Sequence, residues 1–389
     1  MTDATVTVSI ARLFLSFLKL GMTAFGGPAM IAHMKGLTVK REKWLDEATF
    51  RNGVVLCQSM PGATAMQMAA YVGLRTRGIW GALASYTGFG IPAFLLMLTL
   101  AVFYAGSRTL PQVVSLFSGL QVMVVAIVAH ATFSFGRETL RRLTDVFLTA
   151  ASALLFWHGV SPFAVIIGSA VTGMMFFKDA ASFPPSGRKG KGNAGTAKQV
   201  IIIVLLSVAG LAVLYGMDRK LFSLAALLIK VDLFAFGGGF ASLPLMFHEI
   251  VNVRGWLDGK TFMDGIALGQ VTPGPIVITA TFVGYLVCGL AGALLATMAI
   301  FTPSFVILVA VNPLFDRLND SRYFAGATKG ILTSFVGLLL YMTVKFALAV
   351  PWETGKVLFG LAAAAALAVK INILYVVLIG SVISVLFFR

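Results

Sequence analysis

Two lysines of this sequence lie where a membrane protein rarely keeps charge. Lys19 and Lys230 each stand inside an apolar segment, a short distance before a pair of glycines. An intramembrane lysine raises the free energy unless it is paired or near water, so each is a candidate binding residue. Two such cations could neutralise a small dianion. The alternative is that each flexible stem carries its ammonium group to the membrane surface, and the sequence leaves both interpretations open.

Four helix-breaking segments, two in each half of the chain, form the second candidate site. They are Phe25-Gly26-Gly27-Pro28, Gln58 to Thr64, Phe236-Gly237-Gly238-Gly239 and Gln270 to Pro275, and their candidate substrate ligands are Phe25, Gly26, Gly27, Gln58, Pro61, Gly62, Thr64, Gly237, Gly238, Gln270, Thr272, Pro273 and Gly274. Glycine lets a ligand approach the main chain, and a helix N-terminus offers N–H groups to an anion. For one segment alone, close helix packing and kinking are the better explanation. The repetition beside Gln58 and Gln270 reverses that preference and favours an oxyanion cradle.

Three further residues are candidates for carrying protons. Asp232 is the one carboxylate that we place inside an apolar stretch, and His33 and His248 follow the glycine breaks. Histidine titrates near neutral pH, and burial makes a carboxylate hold its proton more firmly. Such residues more often serve as hydrogen-bonded groups at helix ends, so proton coupling through them is a hypothesis.

The composition sets the class of protein to which these residues belong. Of the 389 residues 58% are hydrophobic and 12% charged, and the mean hydropathy is +0.92. A soluble domain carries roughly 25% charged residues, and apolar stretches of about 18 residues recur along the chain, which is the length that spans a bilayer. The sequence therefore predicts an all-α polytopic membrane protein with ten to thirteen membrane segments. Its two cysteines lie in apolar segments and predict neither a disulfide nor a metal site.

The second half of the chain repeats the first. Residues equivalent in the two halves lie 211 or 212 positions apart and include Lys19 with Lys230, Ala24 to Gly27 with Ala235 to Gly238, Trp44-Leu45-Asp46 with Trp256-Leu257-Asp258, Gln58 with Gln270, and Pro61-Gly62 with Pro273-Gly274. Chance similarity of apolar residues would not preserve this order of polar and helix-breaking residues. The predicted organisation is a first repeat at 1–178, a basic cytoplasmic linker at 179–198, an additional helix at 199–220 and a second repeat at 221–389.

The charges of the loops predict that the repeats are inverted. Three loops of the first repeat carry ten basic residues, whereas the equivalent loops of the second carry three. Cytoplasmic loops are enriched in lysine and arginine, so the equivalent loops belong on opposite sides of the membrane. Because the loops on both sides of 53–73 are basic, we expect this segment to be a re-entrant hairpin broken at Pro61-Gly62. A kinked full crossing is the alternative.

The sequence also bears on enzymes and nucleic-acid partners. It contains no phosphate-binding loop, no His-Glu-x-x-His and no Gly-x-Ser-x-Gly motif, so we expect neither an enzyme nor a bound cofactor or metal. The net charge of +15 is largely explained by cytoplasmic loops and the linker. No nucleic-acid partner is needed to account for it.

Short motifs around the breaks of the first half carry a resemblance to a known family. They are Phe25-Gly26-Gly27-Pro28, Trp44-Leu45, Gln58 with Pro61-Gly62-Ala63-Thr64, and Ala70-Tyr71-Val72-Gly73-Leu74-Arg75. In this order, and with the duplication, they resemble the long-chain chromate ion transporter family over essentially the whole chain. The resemblance implies a secondary transporter that exports chromate from the bacterial cytoplasm with the proton motive force, with sulfate as a structural analogue. The second half departs from the first at Gly239, Leu286 and Cys288, which suggests unequal roles for the halves.

These observations predict a multi-pass protein of a bacterial or archaeal inner membrane that transports a small divalent oxyanion. Chromate efflux driven by the proton motive force, by alternating access, is the favoured hypothesis, and sulfate or another oxyanion is the alternative substrate. A passive anion channel and a scaffold without transport activity are the rival classes of function. The expected partners are the oxyanion, protons and the lipid bilayer, and a homodimer is compatible with the sequence.

Overall fold

The computed structural model describes residues 8–25, 27–177, 194–315 and 321–388. Within these ranges the chain forms fifteen α-helices and no β-strand. Their bounds are α1 Ile10–Thr23, α2 Gly27–Lys35, α3 Glu47–Gln58, α4 Thr64–Ser107, α5 Pro111–Thr139, α6 Leu143–Trp157, α7 Pro162–Phe176, α8 Ala194–Met217, α9 Arg219–Phe234, α10 Gly239–Phe247, α11 Gly259–Val271, α12 Thr279–Val311, α13 Arg322–Ala349, α14 Thr354–Ala368 and α15 Ile373–Phe387. The helices α2 and α10 continue into π-helical turns at Gly36–Arg41 and His248–Val253.

The duplication extends to the ends of the helices. Asp46 caps α3 by accepting a hydrogen bond from the Thr49 N–H at 2.7 Å, and Asp258 caps α11 through the Thr261 N–H at 2.9 Å. Each side chain satisfies one of the N–H groups that a helix start leaves without an intrahelical partner. The aspartate of the Trp-Leu-Asp motif is therefore a helix N-cap in both repeats.

The long helices α4 and α12 each fold back on themselves near their first third. The backbone leaves the helical conformation at Arg77-Gly78 in α4 and at Cys288-Gly289 in α12, where the glycines have φ of 62° and 61°. Beyond the turn in α4, the Ser85 hydroxyl donates to the Ala69 carbonyl at 2.7 Å. The first leg of α4 is therefore only about 20 Å long, well short of the ~30 Å hydrocarbon core.

This first leg forms a hairpin with α3. Gly53 of α3 packs directly against the ring of Tyr71, and the equivalent Gly265 of α11 packs against the ring of Phe282. The Tyr71 hydroxyl also donates to the Thr49 carbonyl at 3.2 Å. The chain thus returns along the path by which it entered, so 53–73 has the geometry of a re-entrant hairpin rather than of a kinked crossing.

The helices α1 and α2 form a second hairpin of the same kind. Arg12, near the start of α1, pairs with Glu42, just after α2 and its π-helical turn, at 2.7 Å. In the second repeat Lys230 of α9 pairs with Glu249, beyond α10, at 2.8 Å. Each repeat therefore contributes two short hairpins, and the four predicted breaks lie at their tips.

Equivalent helices of the two repeats cross in opposite directions. Thr132 of α5 and Thr343 of α13 are equivalent residues, and their hydroxyl oxygens are 3.0 Å apart. Farther along α5, the carbonyl of Thr139 accepts a hydrogen bond from Lys329, which lies earlier in α13. The two helices therefore run antiparallel about a two-fold axis at the threonine pair, which is the relation of inverted repeats.

The last two helices of each repeat pack against the other repeat: α6 and α7 contact α13, and α14 and α15 contact α5. Gly173 of α7 packs against Gly330 of α13. The residues equivalent to this pair are Ser384 of α15 and Gly119 of α5, and they also pack together: the Ser384 hydroxyl accepts a hydrogen bond from the Gly119 N–H at 3.0 Å.

Five segments of the described residues are long and apolar enough to span a bilayer: Thr64–Ser107, Pro111–Thr139, Lys198–Met217, Ile276–Leu314 and Arg322–Ala349. The protein is a multi-pass membrane protein. Most of the predicted linker 179–198 lies outside the described residues.

Candidate functional site

The four hairpin tips meet crosswise, each with a tip of the other repeat. The Gly62 N–H donates to the Ala235 carbonyl at 2.9 Å, and the Gly274 N–H donates to the Ala24 carbonyl, also at 2.9 Å. These two bonds are equivalent under the repeat symmetry. The candidate site therefore lies between the repeats and requires both of them. We call the regions 24–25, 59–63, 235–238 and 272–275 the four tips.

Glycine is required at the tips because side chains would not fit there. Gly62 has a φ of +111° and Gly274 a φ of +100°, in the left-handed region that L side chains rarely adopt. A Cβ atom on Gly62 would lie 2.2 Å from Cβ of Ser304. Gly237 and Gly238 have φ of 93° and 92°. These values allow the backbones of the tips to approach one another closely.

Three of the tips begin a helix whose N–H groups have no side-chain cap. These helix starts follow Ala63 in α4, Gly238 in α10 and Pro275 in the 3₁₀ turn that precedes α12. Elsewhere in the described chain, side chains of Asp46, Asp218, Asp258 and Ser321 cap helices, whereas α5, α7 and α14 also start without a side-chain cap. Uncapped helix starts present N–H donors and the positive end of the helix dipole, which together attract anions.

Buried polar atoms without a partner concentrate around the tips. The described chain contains six such side-chain atoms, and four of them lie within about one helical turn of a tip. The four are Gln67 Oε1, Asp232 Oδ1, Ser242 Oγ and Gln270 Nε2. A buried polar atom left unpaired destabilises a fold by about 1–3 kcal/mol. Their concentration at the tips fits a site that takes a polar ligand.

Asp232 places a carboxylate beside the tips. It is fully buried, and its Oδ2 accepts a hydrogen bond from the Ser304 N–H of α12 at 2.7 Å. Its Oδ1 would lie 3.2 Å from a Cβ atom on Gly62. The equivalent residue of the first repeat is Gly21, which packs against the Phe89 carbonyl. The carboxylate therefore makes the two halves of the site chemically unequal.

The structure does not bring the two lysines to the tips. The Lys230 ammonium bonds to Glu249 at 2.8 Å and lies 3.6 Å from the ring centre of Phe163, and Arg254 bonds to the same carboxylate. Lys19 is exposed on α1 and forms no ion pair with another described residue. Their role as substrate ligands stays a prediction.

The remaining predicted residues are divided between the tips and the surface. Pro61, Thr272 and Pro273 are buried at the tips, and the Thr272 hydroxyl donates to the Gly269 carbonyl at 2.9 Å. The Thr64 hydroxyl lies 3.3 Å from the position of a Cβ atom on Gly238. Phe25 is half-buried at its tip, Gly27 opens α2, and Gly26 lies outside the described residues.

Three other predicted polar residues, Gln58, His33 and His248, do not lie at the tips. Gln58, at the end of α3, is exposed, whereas its equivalent Gln270 has a buried amide nitrogen. His33 is exposed on α2, and His248 is half-buried beside Glu249. The exposed Gln58 supplies no buried amide, so its role as a ligand stays a prediction.

Three buried carboxylates, Asp145, Glu249 and Asp264, escaped the sequence analysis. Asp264 of α11 is 5% exposed and accepts hydrogen bonds from the Tyr104 hydroxyl and the Gln121 amide, each at 2.8 Å. The interpretation of Asp232 as the one carboxylate in an apolar stretch was therefore wrong. The sequence feature that could have revealed Asp264 is its position in the segment from Phe262 to Leu268, whose other residues are apolar or glycine.

Comparison with known proteins decides the family. The family model described as Chromate transporter matches this chain twice, at residues 11–174 and 222–385. The chain belongs to the chromate transporter family. The two matches agree with the duplicated all-α fold, and the resemblance drawn from the motifs is confirmed.

Relatives extend over most of the chain. An uncharacterized transporter of Methanocaldococcus jannaschii is 45% identical over 97% of this chain and 94% of its own length. The chromate transport protein of Cupriavidus metallidurans is 29% identical over 86% of this chain and 81% of its own length. The chromate transport protein of Pseudomonas aeruginosa is 29% identical over 89% and 84%, respectively. No solved structure matches this chain.

Proposed function

We propose that this protein is a secondary transporter of a small divalent oxyanion, with chromate as the substrate. The observation that carries the proposal is the crosswise meeting of four hairpin tips, three of which begin a helix without a side-chain cap. The names of two relatives, chromate transport protein, supply the substrate class. The favoured direction is efflux across the cytoplasmic membrane.

The tips offer the hydrogen-bond donors that a tetrahedral dianion needs. Its oxygens are acceptors only, so the matching groups are backbone N–H donors at the helix starts, the Ser242 hydroxyl and the Gln270 amide nitrogen. Charge-assisted hydrogen bonds of this kind are stronger than neutral ones. The low dielectric of the protein interior strengthens them further.

The inverted repeats supply a route to alternating access. Equivalent hairpins of the two repeats approach from opposite directions, and their tips meet at one site. If each repeat adopted the conformation of the other, the site would open to the opposite side of the membrane. Each crosswise bond joins one repeat to the other. Movement of one repeat against the other therefore changes the surroundings of the bound anion.

Asp232 is our candidate for proton coupling. A buried carboxylate beside the tips repels an anion when it is ionised and not when it is protonated. It has the burial and the position that the role requires, whereas His33 is exposed and His248 lies beside Glu249. We therefore propose Asp232, rather than either histidine, as the residue that carries the coupled proton.

The test is oxyanion uptake by the purified protein in proteoliposomes. Chromate, sulfate, molybdate and phosphate are compared with and without a pH gradient. We expect saturable uptake of chromate that depends on the gradient, together with counterflow by unlabelled substrate. Flux without saturation or counterflow would identify a passive channel. The absence of any flux would identify a scaffold without transport activity.

A further inference from the structure

A basic cavity on the bundle shares no lining residue with the tips. It measures about 580 Å³ and is formed by the last turns of α5 together with the end of α14 and the turn that follows it. Arg137, Arg141 and Lys370 line it, with Glu138 as the carboxylate among the lining residues. The lining therefore has a net positive charge. The side chains of Arg137, Arg141 and Lys370 form no ion pair in the described part of the chain.

The equivalent place in the other repeat is filled by aromatic side chains. The rings of Trp157 and Tyr341 stand edge to face there, 6.4 Å apart, and the Lys345 ammonium lies over them at 5.0 and 5.7 Å. At the cavity the residues equivalent to this pair are Ala368 and His130. The backbone frame is the same, so the cavity exists because small and polar residues replace the aromatic pair.

The backbone of Lys370 is held in an unfavourable conformation at the cavity. Its φ is +64°, and the equivalent residue of the first repeat is Gly159, with a φ of +80°. The left-handed conformation is less favourable for a residue with a Cβ atom than for glycine. A lysine is therefore kept where glycine would fit better, and its ammonium group adds to the charge of the cavity.

We propose that this cavity binds the phosphate headgroup of an anionic phospholipid. Its charge complements a phosphate, and basic pockets between membrane helices are suited to such headgroups. Phe133, a lining residue that is 67% exposed, supplies apolar surface for the acyl chains beside the charged groups. The proposal is independent of the transported substrate, because the cavity shares no residue with the tips.

Native mass spectrometry of the purified full-length protein tests the proposal. Phosphatidylglycerol and phosphatidylcholine with identical acyl chains, and separately inorganic sulfate, are titrated against the wild type, Lys370→Gly, Ala368→Trp and Lys43→Gly. Lys370→Gly removes one cation without straining the backbone, and Ala368→Trp fills the cavity. The control is Lys43→Gly, because Lys43 is also left-handed at a φ of +53° but lies outside the cavity.

We expect phosphatidylglycerol to bind the wild type and the Lys43→Gly protein more tightly than phosphatidylcholine does. Lys370→Gly should weaken this binding by about fivefold, the effect of one basic residue near a charged membrane surface. Ala368→Trp should weaken it further. Equal binding of phosphatidylglycerol by all four proteins overturns the proposal. It is also overturned if inorganic sulfate binds in a manner that depends on Lys370 while phosphatidylglycerol does not, since the cavity would then serve a free oxyanion.

Discussion

Asp232 of α9 accepts a hydrogen bond from the main-chain N–H of Ser304 in α12, and its other oxygen has no partner. The half-satisfied carboxylate lies beside Gly62, whose N–H bonds across the repeats to Ala235. The first repeat has a glycine at the equivalent position. One side of a two-fold arrangement thus holds a titratable group and the other does not.

Asp232→Asn tests the coupling role. Asparagine keeps an oxygen that can accept from the Ser304 N–H, so we expect the protein to fold and to retain chromate binding. It cannot gain or lose a proton, so the initial rate of uptake should become the same with and without a pH gradient. His33→Gln is the matched control and should keep the dependence on the gradient. If uptake by the Asp232→Asn protein kept its full dependence on the pH gradient, another group would carry the coupled proton.

Gly62→Ala tests the close approach of the tips. The new methyl group would meet Ser304 at a backbone conformation that alanine rarely adopts. We expect the free energy of unfolding to fall by roughly 1–3 kcal/mol, with a lower Tm and loss of transport. Gly106→Ala is the control, since a Cβ atom at Gly106 meets no other atom within 4 Å. A Tm for Gly62→Ala equal to that of the control would mean that the tips are farther apart than described.

Cysteine labelling tests the inverted arrangement. Arg41 and Val253 are equivalent, exposed positions at the ends of the two π-helical turns. Arg41→Cys and Val253→Cys are made in a protein that carries Cys57→Ala and Cys288→Ala. A membrane-impermeant thiol reagent should label one variant in right-side-out vesicles and the other in inside-out vesicles. Labelling of both from the same side would contradict inversion.

The duplication was predictable because helix-breaking residues keep their order even where apolar residues drift. The Gly-Gly and Pro-Gly breaks and the aspartate N-caps are local features, and the structure has each of them in both repeats. The fold-back of α4 at Arg77-Gly78 lies at the basic loop that was predicted to follow 53–73. The close packing of Gly73 against Gly81 beside this turn was not predicted.

Long-range contacts explain the other differences between sequence and structure. Nothing near Lys230 in the sequence shows that Glu249, on the returning leg of the same hairpin, binds its ammonium group. In the same way, Asp264 is buried with Tyr104 and Gln121, which come from the other repeat. Periodicity and composition describe one segment at a time, so they do not reveal which distant segments pair.

The central claim is that the tips bind an oxyanion, and Gln270→Glu tests this claim most directly. The buried Nε2 of Gln270 is a donor without a partner, and glutamate replaces it with an oxygen of nearly the same shape that repels an anion. The matched control is Gln58→Glu, because Gln58 is the equivalent residue but is exposed. In proteoliposomes we predict that Gln270→Glu abolishes saturable chromate uptake while Gln58→Glu keeps most of it. Wild-type uptake by a properly folded Gln270→Glu protein would contradict an anion site at the tips.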